Sequence, residues 1–160
     1  MSVAKNPMIS MSAAAGLMDA IKAAGANPDD VLGNLAVDKA VFSNPDSFIR
    51  VSAFAGILEE AARLSSDPCF GLHFGESYNP KNIGPLIYVV LNSPTIAAGI
   101  ENTARYIKIH NEAARAAIVI EKDRAYLRFS PDELLVNTSR QHSRVHHDRC
   151  SQYIEINGRQ

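Results

Sequence analysis

Nothing in this chain is arranged to cross a membrane, to build a disulfide framework or to attract a polyanion. The longest unbroken apolar run covers residues 86–91, far short of the roughly 20 residues a bilayer-spanning helix needs. Only two cysteines occur, Cys69 and Cys150, with no CxxC spacing, and the N-terminus lacks a basic start followed by an apolar stretch. These absences exclude a disulfide-rich secreted scaffold and a secretory signal, so the expectation is a cytoplasmic protein with free thiols and no membrane partner. An excess of charge of either sign is missing too: 16 Lys and Arg stand against 17 Asp and Glu, a formal net charge of -1. Such a balance provides no global attraction for nucleic acid. Internal repeats and low-complexity tracts are also absent.

What is present is an ordinary globular composition, 46% hydrophobic and 21% charged over 160 residues. A chain of this length suits one domain and can bury about 70% of its unfolded surface. Residues 1–11 show no strong period and read as a loose lead-in, with the domain expected over 12–160. Ser12 is placed to cap a helix carrying Ala14, Leu17, Ile21 and Ala24 on one face, and Gly25 to stop it. Asn27 and Pro28 then restart a short helix, with Asp29 and Asp30 at the positive end of its dipole, ending near Leu35. Residues 37–47 read as a connection with a turn at Asn44 and Pro45.

Ser52 is placed to cap the next helix, in which Phe54, Ile57, Leu58, Ala61 and Leu64 recur at the helical period. Asp67 and Pro68 repeat the cap-then-proline device and predict a short helix with Phe70 and Phe74 on one face, ended by Gly75. Pro85 opens the 86–91 run, which is apolar all round and therefore reads as buried, whether helix or strand. Ser93 and Pro94 start a further helix with Ile96, Ile100, Ala104 and Ile107 inward and Glu101, Arg105 and Lys108 outward; Glu101 and Arg105 are spaced to pair. The period then changes to two. Ile118 and Ile120, then Leu127 and Phe129, flank a polar turn at Lys122, Asp123 and Arg124 and predict a β-hairpin ended by Pro131. A polar helix is expected over 139–156, stopped by Asn157 and Gly158.

Candidate chemistry is sparse. His142, His146 and Cys150 fall at i, i+4 and i+8 on the last predicted helix, but its ends of that series stand about 12 Å apart, too far for one ion held by ~2 Å bonds. A metal would need further ligands such as Asp148, His110 or His73, and a solvated polar helix accounts for the pattern without one. Cys150 lies mid-helix, away from any helix N-terminus that would lower its pKa, and Cys69 lies among packing residues. Arg140, Arg144 and Arg149 make the last helix locally basic, an exposed or partner-facing surface without interleaved aromatics. The outline of a helix-turn-helix at 84–108 fails as a DNA reader, because its second helix begins Thr95, Ile96, Ala97, Ala98, Gly99 without cationic or amide groups. Phe70, Phe74, Tyr88 and Tyr106 with His73 form the one set suited to a small-ligand pocket. Of these Phe70, His73, Phe74 and Tyr88 are taken as the candidate ligand-binding residues. No catalytic residue, metal ligand or cofactor is assigned.

The block 67–107 adds a lineage. Its DPxFGLxxG pattern, read at Asp67, Pro68, Phe70, Gly71, Leu72 and Gly75, the glycine-led apolar segment 84–91, and SPT at Ser93, Pro94 and Thr95 resemble the arabinose-binding-domain-like N-terminal regulatory domain of AraC/XylS-type transcription regulators. The resemblance favours helix for 86–91 and implies a non-enzymatic domain. It further implies that the domain senses a small-molecule effector, forms homodimers, and controls DNA binding through a separate helix-turn-helix domain. That domain is not part of this sequence, so the chain is expected to be the regulatory portion, truncated ahead of it. The alternative is a stand-alone dimerisation or interaction module without ligand sensing; an enzyme using the Cys/His set ranks third. The fold class expected is α+β, a mainly helical domain with a small antiparallel β-hairpin or sheet.

Overall fold

The computed structural model describes the backbone of residues 6–121, 124–131 and 152–156, and side chains within 6–119. The architecture is mainly helical α+β with two small antiparallel sheets. Strand β1 (Met8–Ser10) pairs with β2 (Phe48–Arg50) in the register Ile9 opposite Ile49. Within the expected lead-in, Ile9 of β1 is buried in the main core. Strands β3 (Ala114–Glu121), β4 (Arg124–Pro131) and β5 (Gln152–Ile156) form the second sheet in that order.

The helix expected from Ser12 to Gly25 is broken. Ser10, rather than Ser12, accepts the cap hydrogen bond of a 3-10 turn at Met11–Ala14, and Gly16, at φ 82°, separates that turn from α1 (Leu17–Ala23). A left-handed backbone there suits glycine and ends any continuous helix. Gly25, at φ 85°, does stop α1 as expected. Helix α2 (Pro28–Asn34) starts as its sequence dictates, with Asn27 Oδ1 accepting from the Asp29 N–H and Pro28 at the first turn. The 37–47 connection holds a second 3-10 turn, Lys39–Ser43, capped by Asp38.

Helix α3 (Val51–Ser65) begins one residue before its predicted cap, because it continues directly from β2 with Arg50 as its unassisted N-cap. Its periodic residues Phe54, Ile57, Leu58 and Ala61 are buried together with Leu17, Ile21, Val31 and Phe70. Glu60 ties it to α2: its carboxylate accepts from Asn34 at 2.7 Å and from Arg63 at 2.6 and 2.8 Å. The bonds from Arg63 and then Asn34 hold the Glu60 carboxyl down at about 2.

Helix α4 (Phe70–Ser77) starts later and runs further than expected. Asp67 caps the turn ahead of it through the Cys69 N–H, and Gly75 lies inside the helix rather than at its end. Helix α5 (Pro85–Leu91) follows, then α6 (Ile96–His110), capped by Thr95, whose hydroxyl accepts from the Ala98 N–H. The expected burial of 86–91 is overturned. Leu86 alone of α5 is buried, in a small second cluster with Ile107 and Ala114, while Tyr88, Val89 and Leu91 are exposed. A seven-residue helix packed through one face onto α6 leaves its remaining apolar side chains at the surface. On α6, Ile107 is buried but Ile96 is exposed, so the inward stripe does not reach the first turn. Glu101 and Arg105 are not among the ion pairs of the described residues.

The predicted hairpin is present and longer than its apolar alternation alone, with Glu121 opposite Arg124 and Ala114 opposite Pro131. The polar helix expected over 139–156 is corrected at its end, where Gln152–Ile156 adds to β4 as an antiparallel strand. Ile154 and Ile156 alternate with Tyr153 and Glu155, a period-two pattern rich in β-formers that outweighs the helical reading there. The rest of that segment lies outside the described residues, and with it His142, His146, Cys150, Asp148 and the three arginines.

Phe70 joins α4 to the core beneath α1 and α3 and is almost fully buried. Replacing it with alanine is expected to cost about 3–5 kcal/mol. Urea denaturation should show this as a lower midpoint with an unchanged slope.

Candidate functional site

The expected ligand-binding residues divide between two places. Phe70, His73 and Phe74 come together on α4, across an open groove of about 600 Å³ from Ala20 and Ala23 of α1 and its C-cap Ala24. The two phenylalanine rings are mostly taken up by the core, and His73 faces solvent with Nδ1 at 2.8 Å from Asp67 Oδ2. The hydrogen bond to Asp67, then its charge, raise the His73 pKa. Burial works to raise the Asp67 carboxyl, but the bonds from His73 and the Cys69 N–H outweigh it and hold that pKa below its ordinary value. The polar handle of this groove is therefore engaged. Tyr88 does not reach it. It stands on α5, 68% exposed, so it has no buried hydroxyl that a ligand would have to satisfy.

A more enclosed cleft of about 360 Å³ lies where the β1–β2 pair faces α5 and α6. Phe48, Ile83, Pro85, Leu86, Val89, Tyr106 and Ile109 provide its apolar walls, and Ser10, Ser12, Asp46 and His110 its polar groups. Tyr106 was grouped with the α4 aromatics by sequence; the structure places it here instead.

The elements explain how these side chains meet. Strand β1 is held on a second edge by the end of α6. Ile9 bridges Asn111, Glu112 donates its N–H to the Met8 carbonyl at 2.9 Å, and the Met8 N–H donates to Glu112 Oε2 at 2.8 Å. That junction sets His110, the last residue of α6, against the 3-10 turn that follows β1. Tyr78, just beyond α4, holds the same turn by donating its hydroxyl to the Ser12 carbonyl at 3.0 Å. Burial pushes the Tyr78 hydroxyl up to about 12, so it stays protonated and a donor.

The polar groups form a chain. The Ser10 hydroxyl donates to the Pro45 carbonyl at 3.4 Å and lies 2.8 Å from Ser12 Oγ, which lies 3.3 Å from His110 Nδ1. Either hydroxyl of the Ser10–Ser12 pair can be the donor. His110 Nδ1 donates to or accepts from Ser12 Oγ according to the tautomer of the ring. Nε2 has no hydrogen-bond partner among the described residues. Burial lowers the His110 pKa, which favours the neutral ring.

Among the described residues, no group of three or more His, Cys, Asp and Glu side chains is close enough to share an ion, and no described helix is long and apolar enough to cross a membrane. The 84–108 segment is a packed helix pair. Asn102 donates to Ser93 Oγ and Ser93 donates to the Val89 carbonyl, which locks its turn.

Residues 25–152 match the family model of the arabinose-binding domain of AraC transcription regulators, N-terminal. The chain belongs to this family. It is also similar to the HTH-type transcriptional regulator VirS of Mycobacterium tuberculosis, in two strains, at 25% identity over 114 residues. That match covers 71% of this chain and 34% of the relative, so the chain spans about a third of the length of the curated relatives it matches. Family membership makes this a regulatory N-terminal domain. It does not distinguish the two clefts. Sequence reasoning missed Ser10 and Ser12 as site residues and treated His110 as a spare metal ligand, because they lie about a hundred residues apart and carry no motif.

His110 and His73 respond to acid in opposite directions. His73, with its raised pKa, contributes stability at low pH that is lost as pH rises through its folded value. His110, with a lowered pKa, resists protonation while the unfolded chain takes up a proton near about 6.5, so its contribution falls as pH drops through that value and on to the folded pKa. His110→Gln is therefore expected to lose less stability than the parent between pH 7.5 and 5. Urea midpoints at the two pH values check this; equal losses would show that His110 titrates as freely as in the unfolded chain.

Proposed function

We propose that this domain senses a small-molecule effector and passes its occupancy to a helix-turn-helix domain, which makes the contacts with DNA. The regulatory unit runs over 12–160, with β1 added from ahead of it. One observation carries the sensing role: the cleft between β1–β2 and α5–α6 combines apolar walls with a converging polar chain, as small-ligand sites do, at the small end of their usual size. The groove on α4 with Phe70, His73 and Phe74 is the competing location. Its main polar group is already paired, and it is more open. The domain carries out no reaction on this reading. The relatives' name, HTH-type transcriptional regulator, and the family's place in AraC regulators support the link to transcription. The family's title does not make arabinose the effector here.

A metabolite panel screened by thermal shift tests the reading. A ligand at a hundredfold excess over Kd stabilises the native state by about 2.7 kcal/mol. Val89→Trp, which narrows the cleft from an exposed position, is expected to abolish the shift of any hit, and Ala23→Leu, on the α4 groove, to leave it. The reverse pattern would move the site to α4, and a panel without hits would count against sensing.

The second reading, a dimerisation or interaction module, is favoured by a different observation. Tyr88, Leu91 and Ile96 flank the α5–α6 turn at 68, 69 and 74% exposure, an apolar surface of the kind that marks interfaces. A homodimer fits a regulator whose DNA half-sites are related by two-fold symmetry. The two readings are compatible. Light scattering of the purified chain is expected to give a dimer that Leu91→Glu with Ile96→Glu converts to monomer. A monomeric parent at high concentration would remove this face from the dimer interface.

A further inference from the structure

We infer that the β1–β2/α5–α6 cleft takes small molecules with an apolar body and no negative charge, and that Asp46 is the residue that discriminates against anions. This deepens the sensing role proposed above and rests on it. The walls set the body of the ligand. Seven apolar side chains line the cleft, so a free sugar, polar on every side, would give up hydration that these walls cannot replace. Ser10, Ser12 and His110 offer a donor or an acceptor according to how their protons are arranged. The cleft therefore accepts either kind of polar end, and selects by charge.

Charge is placed unevenly around it. The segments that build the cleft carry four basic residues: Arg50 in β2, Lys81 in the 3-10 turn ahead of α5 (Pro80–Ile83), and Arg105 and Lys108 on α6. All four are exposed and none is among the lining residues. Asp46 does line the cleft, and with His110 held neutral by burial it is the one formally charged residue that does so among the described residues. It is in none of the ion pairs of the described residues, so its charge is not cancelled by a bound cation there. Hydrogen bonds fix the turn that carries it: the Asp46 N–H donates to Asn44 Oδ1 at 3.0 Å, the Met11 N–H to the Ser47 carbonyl at 2.9 Å, and the Ser10 hydroxyl to the Pro45 carbonyl at 3.4 Å. Asp46 is thereby held beside the Ser10 end of the cleft. An anion entering would lose hydration, meet no cation and be repelled by this carboxylate. A neutral or cationic end escapes the repulsion.

Saturable binding to the full chain is measured by calorimetry at pH 7.5 with 1-octanol, octylamine, octanoate and L-arabinose; the first three share one chain length and differ in the charge of the head group. Octanol and octylamine are expected to bind, octanoate at least about tenfold more weakly than octanol for want of a counter-charge, and arabinose not at all. Asp46→Asn is expected to narrow the gap between octanol and octanoate about two- to fivefold, the size of one exposed charge interaction. Ile109→Trp, at an exposed lining position, is expected to abolish binding of octanol and octylamine. Octanoate binding as tightly as octanol, or arabinose binding, either of them blocked by Ile109→Trp, would overturn the ligand class and leave effector sensing standing. A gap between octanol and octanoate that Asp46→Asn leaves unchanged would overturn the role of Asp46. Octanol binding that survives Ile109→Trp would overturn the site. If neither these probes nor the metabolite panel binds, both the ligand class and the sensing role fall.

Discussion

The arrangement depends on one short strand paired along both edges. Met8–Ser10 takes Phe48–Arg50 on one side and the Asn111–Glu112 junction on the other. Closing a loop of about a hundred residues on its own costs roughly 4 kcal/mol of chain entropy. A backbone hydrogen bond returns only about 0.5–1.5 kcal/mol net, and burying one aliphatic side chain about 1.5–3. The contact therefore needs several terms together: the Met8–Glu112 pair of hydrogen bonds, the Ile9 bridge, and burial of Ile9 and Ala113 in the main core.

That pairing divides the molecule into a large and a small packing unit. The large one is built around α3, with Leu17, Ile21, Val31, Leu58 and Phe70 sealed from solvent. The small one rests on Leu86, Ile107 and Ala114. A cluster of that size cannot also absorb Tyr88, Leu91 and Ile96, which explains why a helix that is apolar all round lies at the surface. The gap between the units is the cleft. Its walls are the faces that neither unit had enough neighbours to cover.

Within the cleft, electrostatics follows from position. His110 ends a helix, where a charged ring would ordinarily be favoured by the dipole, yet its pKa is lowered. Burial wins over the helix terminus because the ring sits against Ser12 and the cleft wall and, among the described residues, has no carboxylate bonded to it. His73 shows the opposite outcome from the same side chain, since it is exposed and bonded to Asp67. Two histidines of one small domain are thus set apart by partner and solvation alone.

Much of the local structure was legible in the residues. Asn27–Pro28 started α2, Gly25 stopped α1, the period of Phe54 to Ala61 marked α3, and the alternation from Ile118 to Phe129 marked the hairpin. The DPxFGLxxG and SPT motifs led to the family that the comparison shows. These features depend on neighbours within one or two turns, and so the sequence by itself determined them. The strand at Met8–Ser10, the break at Gly16 and the strand at Gln152–Ile156 were not legible, because each is decided by a partner distant in the chain. The same holds for the site. That Phe70, His73 and Phe74 share one helix face could be read from spacing, but that Tyr88 and Tyr106 leave them could not. Only the tertiary structure brought Ser10, Ser12 and His110 together, since a hydrogen-bond chain spanning 98 residues of sequence exists only after the double pairing of β1 has placed its ends.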